Sequence, residues 1–297
     1  MNQSDENHAV SPLVVVVGET ASGKSALALE LAQRFDGEII CADSWTVYKG
    51  FNIGTAKPSA ADQKLVPHHL LDVADPREGF SAAVFQRLAN QAIERVTHRM
   101  RLPILVGGTG LYIDSVLFDY SFLPPHDPTM RHMLNLKTLD ELLLYADEQG
   151  IDTSTIDTRN RRRVIRLIEN NGVQPTRKAE RENTLVVGTR VPRDMLSDRV
   201  AKRVDSMFKM GLEREVSELA ECYGWDVEAM KGIGYREWRE YFLGAQTIEE
   251  TRQRIIKSTM DLAKRQRTWF KRNSGIQWVD DRSYFIDIVT TFLNKSN

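Results

Sequence analysis

The chain has 297 residues, 40 Lys and Arg against 41 Asp and Glu, 41% hydrophobic residues and 8% aromatic ones. That apolar content excludes wholesale disorder, and the length fits one large domain or a core with one smaller domain. No apolar run approaches the roughly 18 residues of a membrane span, two cysteines (Cys41 and Cys222) exclude a disulfide framework and a cysteine zinc finger, and a net charge of −1 excludes a uniformly basic nucleic-acid binder but not a local basic patch.

The first ten residues, MNQSDENHAV, read as neither a secretory signal nor a transit peptide, so with so few cysteines the expected compartment is the cytoplasm. Leu13–Val17 is a buried-strand run, and a helix pattern follows from Ser25 to about Phe35. Glu38–Ala42 is a second strand. Ser81 caps a helix whose apolar face is Val84, Phe85, Leu88, Ala92, Ile93 and Val96, at 3.6-residue spacing. Pro103–Val106 is a third strand, ended by Gly107 and Gly108. This alternation predicts an α/β fold, a parallel sheet with helices on both faces. The turn-rich segment 124–128 and the short helical patterns after it predict a small helical insertion domain at 121–182, leaving 1–120 and 183–297 as the core. Thr184–Thr189 returns as a strand. Helices are then expected at about Asp194–Met210, at Leu212–Tyr223, and from the capping box Thr247-Ile248-Glu249-Glu250 through about Arg272.

Gly18-Glu19-Thr20-Ala21-Ser22-Gly23-Lys24-Ser25 matches the phosphate-loop pattern G-x-x-x-x-G-K-[ST] at every fixed position, between a strand and a helix. Its backbone N–H groups and the helix N-terminus suit an anion, Lys24 suits terminal phosphate oxygens, and the Ser25 hydroxyl suits Mg²⁺. A motor or switch NTPase also carries an acid at the end of an apolar strand, but Ile104-Leu105-Val106 ends in Gly107-Gly108-Thr109-Gly110. A small-molecule transferase or kinase is the better expectation. Asp43 closes the second strand at the edge where ligands of such sheets sit; it is either a proton acceptor or metal ligand, or a turn residue. The stretch Asp43-Ser44-Trp45-Thr46-Val47-Tyr48-Lys49-Gly50 mixes acid, hydroxyls and aromatics, which suits recognition of a planar base. Thr109 is a further hydroxyl at the same edge.

Eight strings occur here in the order found in tRNA dimethylallyltransferases. They are Gly18–Ser25; Asp43-Ser44 with Val47-Tyr48-Lys49-Gly50; Asn52 to Pro58; Pro67 to Asp72; Gly107 to Tyr112; Arg162-Arg163-Val164-Ile165-Arg166; Gly232 to Glu237; and Lys264 to Phe270. The chain therefore resembles that family from about Val14 to about Trp278, in its bacterial form without the eukaryotic zinc-finger extension. It departs at positions 45–46, Trp-Thr where the family often has Met-Gln, and its insertion is shorter than usual.

The resemblance implies transfer of a dimethylallyl group from dimethylallyl diphosphate to the N6 amine of the adenosine 3′-adjacent to a tRNA anticodon, with Mg²⁺, by a monomer. Asp43 resembles the family's general base, Thr109 and Arg199 its diphosphate contacts, and Arg131 a tRNA contact. Arg162, Arg163, Val164, Ile165 and Arg166 resemble its anticodon-loop segment, although Val164 and Ile165 by type belong in a core. The target base must be flipped out of its stack. Residues 252–272 carry eight Lys and Arg and one acid, either an RNA surface or a solvated helix face. His68-His69 lacks metal-ligand spacing, and Cys41 reads as a core residue. The alternatives are an adenylate isopentenyltransferase acting on free nucleotide, a small-metabolite kinase, and a non-catalytic RNA binder.

Overall fold

The aliphatic run at 13–17 becomes the middle of the sheet. In this computed structural model, which describes residues 10–124, 127–279 and 282–296, β1 (Leu13–Gly18) is buried throughout. It is followed by α1 (Lys24–Arg34), β2 (Gly37–Ala42), α2 (Ala60–Leu65), β3 (His68–His69), α3 (Ala82–His98), β4 (Leu102–Gly107) and α4 (Gly110–Leu117). Next come α5 (Pro128–Leu136), α6 (Leu139–Glu148) and α7 (Arg161–Glu169). The chain ends with β5 (Thr184–Thr189), α8 (Arg193–Lys209), α9 (Leu212–Tyr223), α10 (Arg239–Phe242), α11 (Ile248–Phe270), β6 (Gln277–Val279) and α12 (Arg282–Ser296). Residues 1–9 of the N-terminal reading and Pro125-His126 of the predicted turn lie outside the described residues.

The described strands form one parallel sheet of six, in the order β3-β2-β4-β1-β5-β6. Alternation along each strand sends Val14, Val16, Ile39, Ile104 and Val187 to one face, where they pack with Leu27 and Leu31 of α1 and Phe285 and Val289 of α12. Val15, Val17, Ile40 and Leu105 point the other way and are fully buried; α3, α4 and α11 contact the strands there. Both faces are thus covered, as a parallel sheet requires. Burying each such aliphatic side chain contributes about 1.5–3 kcal/mol. The Ser81 hydroxyl accepts from Val84 N–H at 3.3 Å and starts α3, and the box at Thr247 and Glu250 starts α11.

The larger unit comprises the described residues up to Leu117 and from Arg181 onward. The smaller runs Phe118–Glu180, where the sequence placed the insertion at 121–182. The small unit has its own core of Leu134, Leu142, Ala146, Val164, Ile165 and Ile168. No helix among the described residues is long and apolar enough to cross a membrane.

β1, β2, β4 and β5 end at one edge of the sheet, and the chain gathers its chemistry there. Gly107, opposite Ala42, makes that edge tight: a Cβ on it would stand 2.0 Å from the Ala42 carbonyl oxygen. With no side chain in the way, Thr109 N–H reaches the same oxygen at 3.3 Å. Gly107→Ala should therefore lower stability by about 3 kcal/mol, the upper range for overpacking, read as a drop in urea midpoint at constant m-value.

Candidate active site

The phosphate loop turns on Ala21 (φ +61°) and Gly23 (φ +92°), both left-handed, and no side chain caps the start of α1. Successive left- and right-handed residues point backbone N–H groups into a concavity that suits an anion. The loop is braced from outside. The buried Glu19 carboxylate forms a two-point ion pair with Arg267 of α11, at 2.6 and 2.9 Å. Thr20 N–H donates to Gln266 Oε1 at 2.8 Å. Ser22 Oγ lies 2.6 Å from Thr189 Oγ1 at the end of β5. Glu19 and Ser22, counted by sequence among the phosphate-binding residues, thus use their side chains to hold the loop.

Lys24, Ser25 and Thr20 line a cavity of about 140 Å³ that also contains Asp43, Trp45, Thr46 and Arg203. Part of its wall is apolar, formed by Ala28, Ile39, Val106, Val204, Met207, Ile255 and Leu262, beside the polar Thr55, His68, Thr259 and Gln266. Lys24 Nζ donates to the Glu19 carbonyl at 3.2 Å. Burial pushes its ammonium from 10.5 down to about 8, with the Arg203 guanidinium acting in the same direction and Asp43 and Glu19 opposing. Arg203 is itself shifted down by burial, against the pull of Asp43. Two cations and a carboxylate therefore share one cavity.

Asp43 follows β2, and its Oδ1 accepts from Trp45 N–H at 2.9 Å. The turn reading and the chemical reading of Asp43 both hold, because that bond fixes the carboxylate while it lines the cavity. Ser44 N–H donates to Thr109 Oγ1 at 3.1 Å, so the loops after β2 and β4 are tied together. Thr109 and Ser44 are not among the lining residues; their hydroxyls, 3.4 Å apart, face each other. Thr46 Oγ1 is buried without a hydrogen-bond partner on the cavity wall, an arrangement that a polar ligand group would complete.

The residues 46–273 match the family model described as IPP transferase. The chain belongs to the IPP transferase family. A tRNA dimethylallyltransferase of Desulforudis audaxviator is 41% identical, over 91% of this chain and 92% of that protein. One from Bacillus subtilis is 37% identical over 92% of each. The crystal structure of a Bacillus halodurans tRNA isopentenylpyrophosphate transferase superposes with a TM-score of 0.75 at 35% identity, covering 96% of this chain and 97% of that one. A eukaryotic dimethylallyltransferase acting on tRNA gives 0.74 at 25% identity, over 91% and 74%.

Of the residues expected to be catalytic, Lys24 and Asp43 line this IPP transferase cavity, while Thr109 and Arg199 do not. Arg199 is exposed and lines a separate depression with Ser22, Gly23, Arg190 and Lys271. Arg203, one helical turn later on α8, is the arginine in the cavity with Lys24 and Asp43. The i, i+4 spacing puts both on one side of α8, which packs against α11 and α9, and one turn along the helix separates them.

In the small unit, the side chains of Val164 and Ile165 are buried in the core, as their type suggests, and offer no surface to a ligand. Arg131 and Arg166 both pair with the buried Glu169 carboxylate, and Arg166 also donates to the Leu123 carbonyl at 2.7 Å. Arg162 and Arg163 are exposed. In α11, Arg252 is held by Asp205 at 2.6 Å and Arg267 by Glu19, so part of that basic run is internal bracing.

Other residues of the site were absent from the expected set. Glu215 of α9 accepts from Ile53 N–H at 2.8 Å and Gly54 N–H at 3.1 Å and from the Tyr235 hydroxyl at 2.8 Å, which fixes the loop that brings Gly54, Thr55 and Ala56 to the cavity. His68 and Cys41 line it too; His68 Nδ1 lies 2.8 Å from the Val66 carbonyl, and burial raises the Cys41 thiol to about 12. Among the described residues no cluster of His, Cys, Asp and Glu could hold a metal by itself.

Arg203→Ala should lower kcat/KM for an allylic diphosphate by about 10²-fold, the scale of one lost charge-stabilising group, and Arg199→Ala by less than about threefold. Equal losses would move the diphosphate contact to the outer depression. Lys24 is protonated below its depressed value and loses its charge above it. Donor KM should thus be flat near pH 7 and climb about tenfold per pH unit above pH 8, and Lys24→Arg should flatten that climb. A wild-type KM constant through about pH 9.5 would contradict it.

Proposed function

We propose that this chain transfers the dimethylallyl group of dimethylallyl diphosphate to the N6 amine of the adenosine 3′-adjacent to the anticodon in tRNA, releasing diphosphate. The observation that carries this reading is the composition of the cavity: cations and loop amides for a diphosphate, an apolar wall for a five-carbon chain, and a carboxylate beside them. Family membership supports it, and the two alternatives without a tRNA substrate find no support among the relatives.

The adenine amine is a weak nucleophile, its lone pair delocalised into the ring. As its nitrogen bonds to the allylic carbon, the carbon–oxygen bond to diphosphate breaks, and the amine must lose a proton. Asp43 accepts that proton at the oxygen its turn leaves free. Lys24, Arg203 and the loop amides neutralise charge growing on the leaving diphosphate. The apolar wall keeps water from the electron-poor allylic carbon. The Ser25 hydroxyl is exposed at the start of α1 with no protein partner among the described residues, which fits a Mg²⁺ ion held by one side chain and by substrate phosphates. That ion would add to the neutralisation. Trp45 and the unpartnered Thr46 hydroxyl read the base, while Thr109 and Ser44 hold the acid's turn in place. Arg162 and Arg163 meet the RNA backbone, while Arg131 and Arg166 are held by Glu169. The two cysteines, both free, are in keeping with a reducing cytoplasm.

Incubation with dimethylallyl diphosphate, Mg²⁺ and unmodified tRNA should give N6-isopentenyladenosine by nucleoside mass spectrometry; product on free AMP and none on tRNA would favour the free-nucleotide enzyme. Asp43→Asn should lower kcat by about 10²–10⁴-fold, the range for a lost general base, while tRNA affinity stays within about twofold. Lost tRNA affinity with a normal single-turnover rate would overturn the assignment of Asp43 as base.

A further inference from the structure

The phosphate loop and the Asp43 turn sit at the ends of different strands, and their separation decides whether amine, allylic carbon and leaving group line up. One side chain touches both sides. Gln266, 8% exposed on α11, accepts from Thr20 N–H through Oε1 at 2.8 Å and donates through Nε2 to the Gly108 carbonyl at 3.0 Å. Thr20 belongs to the phosphate loop. Gly108 precedes Thr109, whose hydroxyl receives Ser44 N–H next to Asp43. A Cβ on Gly108 would stand 2.2 Å from Nε2, so the glycine is what admits the amide. The next residue, Arg267, grips Glu19 of the same loop.

The chemistry demands this residue type. One partner is an N–H and the other a carbonyl, so the bridging group must both accept and donate; this also fixes which amide atom faces which partner. A carboxylate only accepts, and a thioether gives neither good bond. The bridge also occupies the Thr20 N–H, leaving anion binding to later amides of the loop.

We propose that Gln266 is a positioning residue of the prenyl transfer: its carboxamide sets the distance between the diphosphate cradle and the Asp43 turn. This rests on the transferase reading, and wild-type enzyme making no prenylated tRNA would fail that reading rather than this one. The test compares Gln266→Met and Gln266→Glu with wild type at saturating tRNA and donor, with active sites counted by tRNA titration. Met at 266 should lower kcat by about 10–10²-fold at every pH, the scale of a small misplacement, with both KM values within about threefold. Glu at 266 should be equally slow near pH 8. Its rate relative to wild type should recover as pH falls toward about 6, because a protonated carboxyl regains the donor. Gln266 also lines the cavity, and the titratable groups around it are Glu19, Arg267, Lys24, Asp43, Arg203, His68 and Cys41, common to both enzymes, so the ratio isolates the introduced group. Unchanged kcat in both variants would overturn the proposal. So would losses that follow the folded fraction, or a Glu-to-wild-type ratio independent of pH.

Discussion

Three charges in one small, largely apolar cavity are the constraint around which this molecule is built. Lys24 and Arg203 lose water there beside Asp43, and it is chiefly this burial, with the Arg203 guanidinium acting in the same direction, that shifts Lys24 downward. An ammonium that is easy to deprotonate is a poor resting state and a good receptor, because an arriving polyanion restores its proton and removes the repulsion from Arg203. The cavity is therefore more favourable filled by a polyanion than its own residues make it alone.

Such a site works only if its walls hold still. The bracing comes from polar bonds that link distant parts of the chain: Glu19 with Arg267, Thr20 with Gln266, Ser44 with Thr109, and Glu215 with the loop at 53–54. The Thr20–Gln266 bond is buried and the others are half-buried, so removing one partner leaves the other short of water, and the cost exceeds that of an exposed pair. α11 contributes twice. Its basic sequence looks like a surface for a nucleic acid, yet Arg252 and Arg267 are turned to structural ends.

Much of this was legible beforehand, and the gaps have physical causes. The strands at 13–18, 37–42, 102–107 and 184–189 announce themselves as aliphatic runs beside glycines, and Ser81 and Thr247 mark helix starts by their own hydrogen bonds. β3 and β6 have too few residues to show a period, and α12 is rich in β-branched and aromatic residues that blur a helical pattern. At the site, the phosphate loop and Asp43 could be read because their spacing is local. Arg203 could not be separated from Arg199, since both share a helix face and only the tertiary fold decides which turn reaches inward. Gln266 lay hidden among charges, its task defined by a backbone N–H and a carbonyl that no periodicity reveals.

The brevity of the two outer strands carries a consequence of its own. β3 spans His68–His69 and β6 Gln277–Val279, so among the described residues each margin of the sheet offers two or three residues of ladder. That is too short to template an incoming strand from another molecule, and it lets a long, strongly aliphatic parallel core exist at high concentration without stacking edge to edge.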